Sequence, residues 1–154
     1  LHGTHRRPHR APHRAGIVNA TPPAGVTAVR SWTLPLHGLT KPPLSLNSRV
    51  NRWEESRRKR MLADLTIVAA RQAKVPKGLS RITVVLHWQP QHARRRDGDN
   101  PGPTVKPCVD ALVHIGVIPD DNTTHYLVAP PVIHDPWKEP GRLWLAVIDI
   151  SGDT

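Results

Sequence analysis

Along residues 31–150 the spacing of apolar side chains changes period several times, and each change marks an element. VRSWTLPLHG (29–38) is a short apolar stretch ending in turn residues, which predicts a strand. From Arg52 to Lys74, Trp53, Met61, Leu65, Val68 and Ala69 recur at helical spacing and predict an amphipathic helix with these five as its buried stripe. Asn51 is placed to cap that helix, with Glu54 completing a capping box. Glu54 with Arg58, and Glu55 with Lys59, are i,i+4 pairs on its outer face. After the PKG turn the period falls to two: Ile82, Val84, Leu86 and Trp88 alternate with Thr83, Val85 and His87, as in a half-buried strand. TVKPCVDALVHIG (104–116) predicts a second helix, with Thr104 as cap, Pro107 in the first turn and Gly116 at C′. Its core face is Val105, Val109 or Cys108, and Leu112. HYLVAPPVI and GRLWLAVIDI, joined by HDPWKEP, predict two strands of a hairpin with a long connection.

The order β, α, β, α, β, β contains no internal repeat and predicts an α+β fold: a single domain (31–154) whose mixed sheet packs against two main helices. Residues 1–30 break the pattern. They carry no acid, few large apolar side chains and many Pro, Arg and His, so a disordered basic tail is expected. Its histidines His2, His5, His9 and His13 lack accompanying cysteines or carboxylates, which argues against a metal site there.

Composition narrows the partners. Twenty-two Lys and Arg against twelve Asp and Glu give a formal charge of +10, which favours a polyanion such as nucleic acid. The single cysteine excludes an internal disulfide framework and a cysteine-based zinc knuckle. No apolar run approaches the ~20 residues that span a bilayer, so a cytoplasmic protein without a membrane partner is expected. The ESRRKR run on the first helix reads either as a solvated face or as an edge along a phosphate backbone.

The acids are unevenly spent: five of the twelve, Asp97, Asp99, Asp110, Asp120 and Asp121, fall between positions 97 and 121, directly after Arg94, Arg95 and Arg96. In an extended segment Asp97 and Asp99 would point to one side. Lys106 and Asp110 share a helix face, and a return of the chain brings Asp120 or Asp121 back toward the first pair. Hard oxygen donors of this kind suit Mg²⁺ or Mn²⁺ and, with them, phosphate chemistry. Taken singly, the same residues also read as turn formers and a surface ion pair.

The series Asp97-Gly-Asp99-Asn100, Lys106, Asp110-Ala-Leu112 and GVIPDD (116–121) resembles the core pattern of the RusA-type Holliday junction resolvases. The PPLSLN segment before the first helix extends the likeness weakly. One departure is a stretch between Asn100 and Lys106 that is longer by Pro101, Gly102 and Pro103, read as a longer loop before the helix. The resemblance implies a homodimeric, Mg²⁺-dependent endonuclease, Mn²⁺ substituting, of phage or prophage type. Such an enzyme resolves four-way DNA junctions by paired symmetric nicks during recombination and repair. By the same resemblance Asp97, Asp99 and Asp121 are the metal-binding catalytic carboxylates, Lys106 is the catalytic cation, and Asp110 and Asp120 are secondary metal candidates. Arg94, Arg95 and Arg96 become phosphate clamps, and Arg57, Arg58 and Lys59 further DNA contacts. The alternatives are a nuclease of other branched-DNA preference on the same residues, and a non-catalytic basic DNA-binding module.

Overall fold

The structure, a computed structural model, describes residues 29–152; the expected tail and its four histidines lie outside the described residues, apart from Val29 and Arg30. Arg30 already belongs to the fold, since its carbonyl accepts from Asp149 N and its guanidinium pairs with the Asp149 carboxylate at 2.7 Å. Five strands and two α-helices run in the order β1 (Ser31–Pro35), α1 (Arg52–Gln72), β2 (Ile82–Gln89), α2 (Val105–His114), β3 (Tyr126–Val128), β4 (Val132–Ile133) and β5 (Arg142–Asp149), one strand more than expected because HYLVAPPVI is split into β3 and β4 around its prolines. The protein is thus an α+β domain with one mixed sheet and two main helices.

The sheet is built on β2 and β5. Ile82, Val84 and Leu86 of β2, and Leu143, Leu145 and Val147 of β5, are buried on one face, so the two eight-residue alternations reinforce each other. They pair antiparallel from Ile82 opposite Asp149 to Gln89 opposite Arg142. β1 adds antiparallel to the outer side of β5, and β3 and β4 add parallel to the far side of β2. The expected hairpin of the last two strands is therefore incorrect, because β2 lies between β4 and β5 and the HDPWKEP segment carries the chain past the end of β2. Gly141, just before β5, lies against Thr40, whose carbonyl oxygen would clash with a Cβ there, so any other residue would push the two backbones apart.

α1 starts as read, with the Asn51 side chain accepting from Glu54 N at 2.9 Å. The second half of the capping box does not form, because the Glu54 carboxylate turns to Arg57 and Arg58 instead. The buried stripe keeps Ala69, with Leu65 half-buried against the core, but is otherwise rephased. Leu62, Thr66, Ala69 and Ala70 face the core, whereas Trp53 is 83% exposed, Val68 52% and Met61 37%. At ~100° per residue Trp53 stands about 180° from Leu62, so it cannot share that face. Small side chains at 66, 69 and 70 let α1 approach α2, whose Val105, Cys108, Val109 and Leu112 are buried as expected. Burial pushes the Cys108 thiol up to about 11, which leaves it a small packed apolar group rather than a nucleophile. α2 ends in a Schellman turn, with Val117 N donating to Leu112 O, Gly116 N donating to Val113 O, and Gly116 at φ +82°.

The rephased stripe separates two substitutions that the sequence pattern alone treats alike. Leu62→Ala is expected to lower unfolding stability by about 2–5 kcal/mol, and Trp53→Ala by no more than about 0.5 kcal/mol. Urea denaturation of both variants checks this.

Candidate functional site

β2 ends at Gln89, and Asp97 and Asp99 lie well beyond it in a turn. The extended geometry expected for the pair is replaced by tight winding: Asn100 N donates to Asp97 O at 3.1 Å, Gly102 N to Asp99 O at 2.9 Å and Thr104 N to Pro101 O at 3.0 Å. The last of these spans a 3-10 turn, Gly102–Thr104, that runs directly into α2. The three extra residues Pro101, Gly102 and Pro103 are therefore wound into the helix approach rather than looped out. Gly98 and Asn100 favour this outcome, since both suit tight turns.

Thr104 does not cap α2. Its hydroxyl is fully buried, donates to Leu44 O at 2.7 Å and accepts from Leu44 N at 3.2 Å. Leu46 N also donates to Asn100 O at 3.0 Å, so the PPLSLN segment is strapped along residues 100–104. This clamp fixes where α2 begins and, with it, where Lys106 stands. Nothing in the residue pattern singled out Thr104, because a threonine at a helix start reads first as a cap.

From α2 the Lys106 ammonium reaches two carboxylates. It bonds Asp110 at 2.6 Å, one helical turn away, and Asp121, fifteen residues on, past the Gly116 reversal. Asp120 stands one residue aside and turns inward on its own loop, accepting from Asp121 N at 2.8 Å and from Asn122 Nδ2 at 2.9 Å. Asp110 and Asp121 together hold the Lys106 pKa well above its ordinary value, and Lys106 holds the Asp121 carboxyl below the ordinary carboxylate range. All three groups keep access to solvent, so the cluster adds little to stability.

The basic residues divide. Arg94 and Arg95 are exposed, and their guanidiniums make no hydrogen bond or ion pair among the described residues. Arg96 is committed to the fold, donating to Arg94 O and His92 O and lying 4.8 Å over the Trp88 ring. On α1, Arg57 pairs with Glu54 and Lys59 with Glu55, while Arg58 bonds both Glu54 and the Pro43 carbonyl. A groove between the helices brings Lys59 and Arg60 alongside Lys106 and Asp110. Of the α1 run, then, Lys59 and its neighbour Arg60 face the cluster. Arg58 serves mainly as a strut.

The structure thus joins Lys106, Asp110 and Asp121, and no hydrogen bond or ion pair links the Asp97 or Asp99 side chains to them among the described residues. Nor do those residues contain a group of three or more His, Cys, Asp or Glu side chains placed to hold a metal. By chemistry the donors still suit a hard divalent cation: Mg²⁺ is commonly held by one or two carboxylates with water and substrate phosphate. Asp97 and Asp99 offer two on one turn, and the Asn100 Oδ1 on that turn is buried without a hydrogen-bond partner. Among the described residues no helix is long and apolar enough to cross a membrane. The chain matches no family model, and no curated protein matches it.

The Lys106 bridge makes a direct expectation. In an NMR titration the Asp121 carboxyl should protonate below the ordinary carboxylate range, and Lys106→Met should move it upward. The stability tied to this pair is present above the ordinary carboxylate range and fades as pH falls through the lower native value. An unchanged Asp121 titration in Lys106→Met would show that the ammonium is not its partner.

Proposed function

We propose that the chain is a Mg²⁺-dependent endonuclease acting on branched DNA, with the four-way junction as substrate and paired symmetric nicks made by a homodimer. The observation that carries this reading is the reach of Lys106 to Asp121 from the helix that the Asp97–Asn100 turn winds into. These are the residues that resemble a junction-resolvase motif, and the extra residues of the motif do not interrupt the backbone path between them. A homodimer would match its two-fold axis to that of the junction.

Asp97, Asp99 and Asp121 would hold Mg²⁺, or Mn²⁺ in its place, together with a DNA phosphate. Bound there, the ion lowers the pKa of a water and offsets charge on the phosphoryl oxygens. Lys106, kept cationic by its two carboxylates, cannot serve as a base at neutral pH; its role is to set positive charge against the scissile phosphate. Asp110, the second partner of Lys106, would keep that ammonium oriented with Asp121 holding the ion. Arg94 and Arg95 can take flanking phosphates without breaking an existing pair, whereas Arg57 and Lys59 must first give up Glu54 and Glu55.

The test is cleavage of a labelled four-way junction beside linear duplex of the same sequence, with Mg²⁺ or EDTA. The expected result is paired nicks confined to the junction and dependent on Mg²⁺. Asp99→Asn should slow them by at least about 100-fold while DNA binding is kept or tightened, since a negative charge is removed. Tight junction binding without cutting by the wild type in Mg²⁺ and Mn²⁺ would overturn the nuclease reading in favour of a DNA-binding module. Wild-type cutting by Asp99→Asn would overturn the site.

A further inference from the structure

The second face of the sheet carries a different chemistry. The outward positions of β2 and β5, among them Val85, His87, Trp144 and Ile148, alternate with the buried core positions and stay partly exposed. At the end of this face where β2 leaves and β5 enters, flat groups collect. Trp144 stacks on His87 with centroids 5.1 Å apart and 5° between planes, and on His134 at 5.0 Å and 27°. The two imidazoles share a hydrogen bond, His87 Nδ1 to His134 Nε2 at 2.8 Å, which fixes both rings and requires one of them to be neutral. The Arg142 guanidinium lies 4.1 Å from the Trp137 centroid and 5.2 Å from that of Trp144, and its Nε donates to Gln89 Oε1 at 2.9 Å. Two of the five tryptophans, Trp137 and Trp144, gather at this end, both under Arg142.

Two depressions adjoin this cluster, one lined by Trp144 and Arg142 themselves and the other reaching it through His134. One is an apolar groove between Pro35, Leu39 and Trp144. The other joins Arg94, Arg95 and Gly98 to His134, with Asp135 the one carboxylate beside three arginines. Ring and guanidinium planes that are held in place and only partly covered offer a stacking platform. The unpartnered cations beside them offer counter-charge for phosphate. That combination fits a strand whose base faces are free, since duplex hides those faces and a purely apolar partner leaves the arginines unpaired.

We propose that this end of the sheet face binds an unpaired stretch of nucleic acid, a base lying on Trp144 and Arg142 and its phosphates drawn to Arg94 and Arg95. The site uses none of the carboxylates assigned to cleavage and needs no metal, so it stands whether or not the chain cuts DNA.

The test is fluorescence anisotropy in EDTA with a labelled oligothymidylate and an abasic oligomer of equal length and phosphate number. Wild type is expected to hold the thymidylate more tightly. Trp144→Leu, which keeps apolar bulk without the ring face, should weaken the thymidylate by roughly 5- to 150-fold and leave the abasic oligomer unchanged. Trp137→Ala, on the connection outside the sheet, should shift the same way and covers the case in which Trp144→Leu fails to fold. Equal wild-type affinity for the two oligomers would overturn the proposal. A dimer that dissociates in Trp144→Leu, with binding indifferent to the presence of bases, would overturn it too and assign this face to a second copy of the chain.

Discussion

The antiparallel ladder between β2 and β5 is the constraint on which the rest of the molecule depends. Both strands are eight residues long and alternate in phase, so ladder steps alternate between core pairs such as Leu86 with Leu145 and outward pairs such as His87 with Trp144. The core face is where α1 and α2 pack. The outward face, which no helix covers among the described residues, is where Trp144 and His87 meet across the ladder. The same pairing fixes the end of β2, and therefore where the chain departs toward Arg94 and the Asp97 turn.

A second constraint transmits that frame to the cluster of charges. Thr104 is a polar group at zero exposure, and burying a hydroxyl is tolerable only when it is bonded. Its two bonds to Leu44 tie the segment before α1 to the start of α2. The 3-10 turn then delivers the helix with Lys106 on its outer side, and the Schellman turn at Gly116 reverses the chain so that Asp121 comes back to that lysine. Each step is local. Their sum brings together residues that are distant in sequence.

How much of this the residues disclose depends on whether the relevant interaction is local. The i,i+4 spacing of Lys106 and Asp110, the Asn51 cap and the alternation of β2 are set within a few residues, and each reads correctly. The α1 stripe misleads because large side chains such as Trp53 and Met61 draw attention away from Thr66 and Ala70, whose value lies in their smallness. Strand partners are not local at all: β5 alternates clearly, yet nothing in its own pattern says that β2 rather than β4 lies beside it. The turn at Asp97 had a signal in Gly98 and Asn100 that competed with the extended reading. The ring cluster had one as well, a histidine and a tryptophan on the solvent phase of two strands.

The Asp97 turn and the Lys106–Asp121 pair are proposed to act as one metal-dependent centre. The measurement that tests it most directly is a substoichiometric Mn²⁺ titration of the protein with an uncleavable junction bound, followed by broadening of backbone amide signals. Broadening centred on Asp97 to Asn100 and extending to Asp121 is the expected result. Broadening confined to other carboxylates such as Asp149, or none at Asp97 and Asp99, would contradict it.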